Sequence, residues 1–165
     1  MRGMTPSNGS LAYNPTCLSR DLSNYTASTW LTNANLLNLT TGAASATIKA
    51  FQDELQGRFS DGFLGLHVAG HFSIGGDADD LFSSPVDPAF YLHHTMLDYV
   101  FWIWQALHPS EALNIAGTLT LGNNPPSRDT RLNDTLYFNY LDQPQRPISD
   151  ILDTLGGSPL CYIYA

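Results

Sequence analysis

Along residues 1–42 the apolar positions stand isolated among Asn, Thr, Ser and Gly with scattered Pro, and no helical or alternating period emerges, so this stretch reads as loops. The pattern changes over 43–57, where Ile48, Phe51, Gln52 and Leu55 share one face at helical spacing and Gly57 supplies a stop. A short helix is expected over 62–72, then a loop over 73–85 opened by Gly75-Gly76 and carrying Asp77, Asp79 and Asp80. The strongest local signal is Asp87-Pro88. An Asp carboxylate accepts the free N–H groups of a helix start, and Pro suits the first helical position. The helix they open is expected to reach Leu107, with Phe90, His94, Leu97, Phe101 and Trp104 on its inward face and His108-Pro109 at its end. From Leu113 the chain turns polar and Pro-broken, leaving loops, a short helix near 149–155 closed by Gly156-Gly157, and an apolar extended tail over 160–165. The expected fold is mainly α, a single unit with long loops and a short C-terminal extended segment.

Charge narrows the partners. Seven Lys+Arg against 15 Asp+Glu give a formal charge of −8, so phosphate-binding cations are scarce and nucleic acid is excluded as a partner. An anionic membrane surface is excluded on the same ground. The greasiest stretch, 97–104, is interrupted by Asp98 and falls far short of the ~20 residues a membrane span needs. Eight Phe, 8 Tyr and 3 Trp argue for a packed core over disorder. Asn-x-Ser/Thr sequons at Asn8, Asn24, Asn38 and Asn133, together with the low charge, suggest a secreted glycoprotein, although residues 1–10 lack the apolar run of a signal peptide. Cys17 and Cys161 could close one long disulfide loop in an oxidising compartment, or each could stay a free thiol.

All five histidines fall between positions 67 and 108. His67 and His71 are four apart, which on a helix puts both imidazoles on one face. That spacing suits two nitrogen ligands of one ion, and it also arises by accident. His93 and His94 are adjacent in the second helix, where neighbours diverge by ~100°. One of them is therefore a ligand candidate and the other a supporting partner. His94 shares the apolar stripe, so it faces inward and can join His67 and His71. Three imidazoles without a thiolate or carboxylate suit copper, or zinc with an open fourth position. Phe72, Phe82, Phe90, Tyr91 and Trp102 are expected to keep the site dry. His108 reads as a helix-end residue.

These residues carry a resemblance. The run from Leu66 to Gln105, with its H-x3-H and its D-P-x-F-x-x-H-H helix, closely resembles the second copper half-site of the tyrosinase and catechol oxidase family, its short secreted fungal branch in particular. NPTCLSRDL at 14–22 is similar to the segment preceding that half-site, and GGSPLCYIY at 156–164 is similar to the family's closing tyrosine motif. The resemblance implies that His67, His71 and His94 bind copper and that His93 is the non-ligand neighbour. It implies that Phe90 packs on the site, that Asp87 caps the helix, and that Tyr162 and Tyr164 tie the domain end to its body. Asp98 matches an acid that usually precedes Arg, but Tyr99 occupies the Arg position, which leaves its ion-pair role open. Val68, directly after the first ligand, cannot hydrogen-bond a water or substrate, which leans towards oxidation of diphenols over hydroxylation of monophenols. Glu54, Asp77 and Asp79 are expected to be solvated or capping residues.

The family holds two coppers with three histidines each, and oxidises o-diphenols to o-quinones with dioxygen. Five histidines cannot supply six ligands. The resemblance therefore implies half of the type-3 copper four-helix bundle: residues 1–165 as the C-terminal half of a tyrosinase domain, with the copper motif at 66–105 and the first-copper half absent. The implied partners are a small phenol, dioxygen and that missing half. A non-catalytic metal- or oxygen-binding fragment, related to haemocyanin-type sites, is the alternative. If half the bundle is missing, an apolar face including Phe90 and Trp104 should lie partly uncovered.

Overall fold

A computed structural model describes residues 15–138 and 143–165. Among them are five α-helices: α1 (Asn24–Trp30), α2 (Asn33–Thr40), α3 (Ile48–Gln56), α4 (Gly65–Ile74) and α5 (Ala89–Leu107). Strands β1 (Thr135–Leu136) and β2 (Arg146–Pro147) form one short antiparallel pair. The mainly α expectation holds, and no helix among the described residues is long and apolar enough to cross a membrane.

Two helices stand where loops were expected, α1 and α2. Their signals are caps more than periodicity. Ser23 accepts the Thr26 N–H at 3.2 Å and Thr32 accepts the Asn35 N–H at 3.2 Å. Such caps supply partners for the orphan donors of a helix start. Tertiary packing completes α2, whose Leu39 is 1% exposed in the core. Elsewhere the boundaries shift. The segment 43–57 divides into a 3-10 turn (Ala43–Ser45) and α3, α4 begins at Gly65, and the expected helix at 149–155 is a single 3-10 turn (Ile148–Ile151).

The core gathers Leu39, Ile48, Phe51, Leu66, Val100 and Trp104 from α2, α3, α4 and α5. Trp104 is its centre, fully buried, 5.0 Å from the Phe51 ring and donating its indole N–H to the Ser45 carbonyl at 2.9 Å. The expectation that Trp104 lies on an uncovered face is thus overturned, because α2 and α3 cover it. Exposed apolar side chains near the start of α5 are Tyr91, Leu92 and Met96, with Leu81, Phe82 and Val86 on the preceding loop.

At the head of α5 the Asp87 carboxylate accepts the Ala89 N–H at 2.8 Å, so the expected capping contact forms, although the helix itself starts after Pro88. The carboxylate is completely buried and also pairs with Arg20, a partner that sequence reasoning did not supply. Of the acids expected to be solvated or capping, Asp79 is exposed while Glu54 and Asp77 are buried: Glu54 accepts from Asn38 at 3.0 Å and pairs with Arg58, and Asp77 accepts the Ser19 N–H at 2.8 Å.

The C-terminal tail runs extended and docks on α5. Tyr162 donates its hydroxyl to Asp98 at 2.7 Å, and Tyr164 donates to the same carboxylate while its ring lies 4.8 Å from Tyr99. Asp98 thus serves the two tyrosines in place of an ion pair. The possible disulfide between Cys17 and Cys161 does not form; both are free and exposed. The chain after Cys17 is bonded to the end of α4, whereas the chain after Cys161 is bonded to α5 and Thr154, so the two thiols are held by different parts of the fold.

Candidate metal centre

His67 and His71 lie one turn apart on α4, and His93 and His94 lie on the second turn of α5. The His67 and His71 rings each lie 5.0–5.9 Å from both His93 and His94, and His71 also meets Phe90. Close approach of α4 and α5 depends on Gly70, since a Cβ there would stand 2.1 Å from the His93 ring. The structure therefore brings four of the five histidines together.

The nitrogen atoms sort themselves by their partners. His67 Nδ1 lies 2.6 Å from the side-chain carbonyl of Gln56, and His71 Nδ1 lies 2.7 Å from the backbone carbonyl of Ala78. A carbonyl only accepts, so both Nδ1 atoms carry a proton, and in the neutral rings both Nε2 atoms present lone pairs. Those two Nε2 atoms are 3.2 Å apart, and His94 Nε2 is 3.2 Å from His71 Nε2. Facing lone pairs repel unless a cation lies between them. Two ligands of a tetrahedral ion with metal–nitrogen bonds of ~2.0 Å stand about 3.3 Å apart, so the spacing fits shared coordination. The donor set, imidazoles of which His67 and His71 are held by outer hydrogen bonds, suits copper or zinc.

His93 also comes within ligand range, the donor atoms of His67, His71 and His93 all lying within 4.8 Å of one another. Its Nε2, however, is 2.9 Å from the His67 carbonyl and must donate to it. With Nε2 so engaged, His93 braces α4 against α5 and keeps Nδ1 free, while His94 turns its Nε2 towards His71, so both adjacent histidines are ligand candidates beside His67 and His71. Burial favours the neutral imidazoles that ligation requires. Desolvation, reinforced by the neighbouring rings, lowers His67 to about 4. Desolvation also lowers His93 to about 4, and His94 is lowered for the same reason.

Phe90 stacks on His94 with centroids 4.0 Å apart, fixing the ring plane. The rest of the expected aromatic wall is not built that way. Phe72, Phe82 and Tyr91 are exposed, and Trp102 packs on Tyr164. Val68 is half-buried on α4. His94 also borders an open cavity with Tyr91, Thr95, Asp98, Tyr162 and Tyr164. His108 takes no part; it stacks on Trp104 at the end of α5. Gln56, Gly70 and Ala78 were missed, since an amide, a small residue and a backbone carbonyl carry no motif of their own.

The sequons differ in placement. Asn24 and Asn133 are exposed, Asn38 is half-buried with its amide nitrogen given to Glu54, and Asn8 lies outside the described residues.

Comparisons with known proteins show the family. Residues 2–107 match the family model described as the common central domain of tyrosinase. Tyrosinase P of Aspergillus terreus is 34% identical over 92% of this chain and 42% of its own length. The oxidase hkm6 of Aspergillus hancockii is 32% identical over 96% of this chain and 56% of its own. N-acetyl-6-hydroxytryptophan oxidase ivoB of Emericella nidulans is 32% identical over 93% and 43%. Among solved structures, a variant of the polyphenol oxidase from Thermothelomyces thermophila superposes with a TM-score of 0.84 at 33% identity, covering 96% of this chain and 44% of that one. The chain thus spans about half the length of the curated relatives it matches.

Proposed function

The chain belongs to the tyrosinase family, and from that premise we propose that it supplies one three-histidine copper site, the second of the pair, to a phenol-oxidising enzyme. The observation that carries the reading is the run of facing Nε2 atoms, 3.2 Å from His67 to His71 and 3.2 Å from His71 to His94. His67, His71 and His94 would hold the ion. Copper in such a site supplies redox chemistry with dioxygen, of the kind that takes an o-diphenol to an o-quinone. The chain's own residues do the positioning. Gln56 and Ala78 hold the protons on Nδ1 of His67 and His71, so that Nε2 stays free. Phe90 keeps His94 from rotating, and His93 braces α4 against α5.

Six imidazoles are needed for two coppers, and His93 and His108 are engaged elsewhere. A second set of three histidines must therefore come from outside these 165 residues. The apolar surface at Tyr91, Leu92 and Met96 beside the site supports docking of such a half. Val68 offers no hydrogen bond beside His67, which supports diphenols over monophenols as substrates. The Emericella relative, an N-acetyl-6-hydroxytryptophan oxidase, widens the class worth assaying to hydroxyindoles. The exposed sequons at Asn24 and Asn133 support secretion and glycosylation of the protein.

Copper loading of the purified chain tests the proposal. One copper per chain, visible by EPR as an isolated Cu(II), with no quinone formed from catechol, is the expected result. Two coppers in an EPR-silent pair with turnover would overturn the single-site reading, and no stoichiometric copper would overturn the metal reading altogether.

A further inference from the structure

The metal site is gripped from behind by a segment outside both histidine helices. Residues 19–23 lie across the end of α4: the Asp21 N–H donates to the Ile74 carbonyl at 2.9 Å and the Ser23 N–H to the Ser73 carbonyl at 2.9 Å. The Asp77 N–H donates to the Ser19 carbonyl at 3.0 Å, and the Ser19 N–H returns a bond to Asp77 Oδ2 at 2.8 Å. The approach requires bare backbone. Gly75 and Gly76 have φ of 64° and 62°, and a Cβ on them would stand 2.4 Å from the Asp21 oxygen and 2.3 Å from the Ser19 oxygen.

Within this strap Arg20 reaches the buried Asp87, its Nε donating to Oδ2 and its Nη2 to Oδ1, both at 2.7 Å. A guanidinium presents a planar fork that a Lys ammonium does not reproduce. Both contacts lead to the histidines. The turn held by Ser19 carries the Ala78 carbonyl that orients His71. The carboxylate held by Arg20 sets the first turn of α5, which carries Phe90 and, one turn later, His94.

We propose that the 19–23 strap, with Arg20 as a positioning residue, fixes the geometry of the three-histidine site from both helices. The inference rests on the metal reading above, and its test separates the two. The full chain carrying Arg20→Ala or Arg20→Lys is compared with the wild type by Cu(II) affinity, EPR of the bound Cu(II), and imidazole 1H–15N spectra of the metal-free protein. Arg128→Ala, which breaks the ion pair with Asp134 on a separate loop, controls for a general loss of stability.

The expected result is Cu(II) affinity lower by about 10-fold in Arg20→Ala, the lower end of the range for groups that orient metal ligands. Arg20→Lys, keeping the charge without the fork, should fall between. Both should show altered EPR parameters and a His71 ring that no longer holds its proton on Nδ1, with no such change in Arg128→Ala. Wild-type affinity, EPR and ring spectra in a folded Arg20→Ala would overturn the inference. Should that variant fail to fold, the same wild-type result in Arg20→Lys overturns it. If the wild type takes up no Cu(II), the metal reading falls, and the ring spectra still decide whether Arg20 positions the histidines.

Discussion

The His93 ring lies against the backbone of Gly70, with room for a hydrogen atom and not for a methyl group: a Cβ at position 70 would sit 2.1 Å from its Cε1. His93 at the same time donates to the His67 carbonyl at 2.9 Å. Gly70 therefore sets how closely α4 and α5 approach, and with it the spacing of the ligand nitrogens.

Gly70→Ala should accordingly cost about 1–3 kcal/mol of stability, the range for an overpacked contact. It should also lower copper uptake, because His93 must swing away and release the His67 carbonyl. Urea unfolding together with metal analysis checks both effects. Unchanged values for both would show that the helices can separate without disturbing the site.

Much of this site was legible in the sequence. The four-residue step from His67 to His71 and the placement of His94 on an apolar stripe pointed to three side chains whose rings the structure brings together. Their supports were not legible. The Ala78 carbonyl has no side-chain signature, and the amide of Gln56 meets His67 only after α3 and α4 pack. Arg20 and Asp87 are 67 residues apart, and nothing local links them. In the fold, the long amphipathic α5 was read nearly to its ends. α1 and α2 were not, because short helices started by Ser23 and Thr32 owe their stability to packing that a periodicity count does not register.

The division of labour between the adjacent histidines predicts opposite behaviour on substitution. His94→Ala removes a nitrogen that faces His71 at 3.2 Å and should reduce bound copper to background. His93→Ala removes a brace and leaves three ligands, so copper should still bind one per chain, with weaker affinity. Copper content after desalting, followed by a chelator competition, distinguishes them. Equal loss in both variants would mean that His93 also ligates.

In the core, Trp104 combines ring packing with a hydrogen bond to the Ser45 carbonyl at 2.9 Å. Trp104→Phe leaves a buried acceptor without its donor and should cost roughly 1–3 kcal/mol. Trp104→Ala also opens a cavity between α3 and α5, and should cost about 3–5 kcal/mol. Chemical denaturation midpoints at constant slope measure the difference. A Phe variant as stable as the wild type would show that the Ser45 carbonyl finds another donor.

The tail predicts a response to alkali. Tyr162 is raised to about 12, mainly by desolvation and then by its hydrogen bond to the Asp98 carboxylate, and Tyr164 is raised for the same reasons. An unfolded tyrosine loses its proton near 10. The raised folded value means that the clasp contributes its full stability below about pH 10, and that the contribution disappears as the pH climbs through about 12. Detachment of the tail should therefore coincide with the appearance of tyrosinate absorbance in that upper window, read alongside limited proteolysis of residues 157–165. Asp98→Asn, which removes the charge opposing phenolate formation, should bring the titration of both tyrosines towards 10. A titration unchanged in Asp98→Asn would assign the shift to burial alone and remove Asp98 from the clasp.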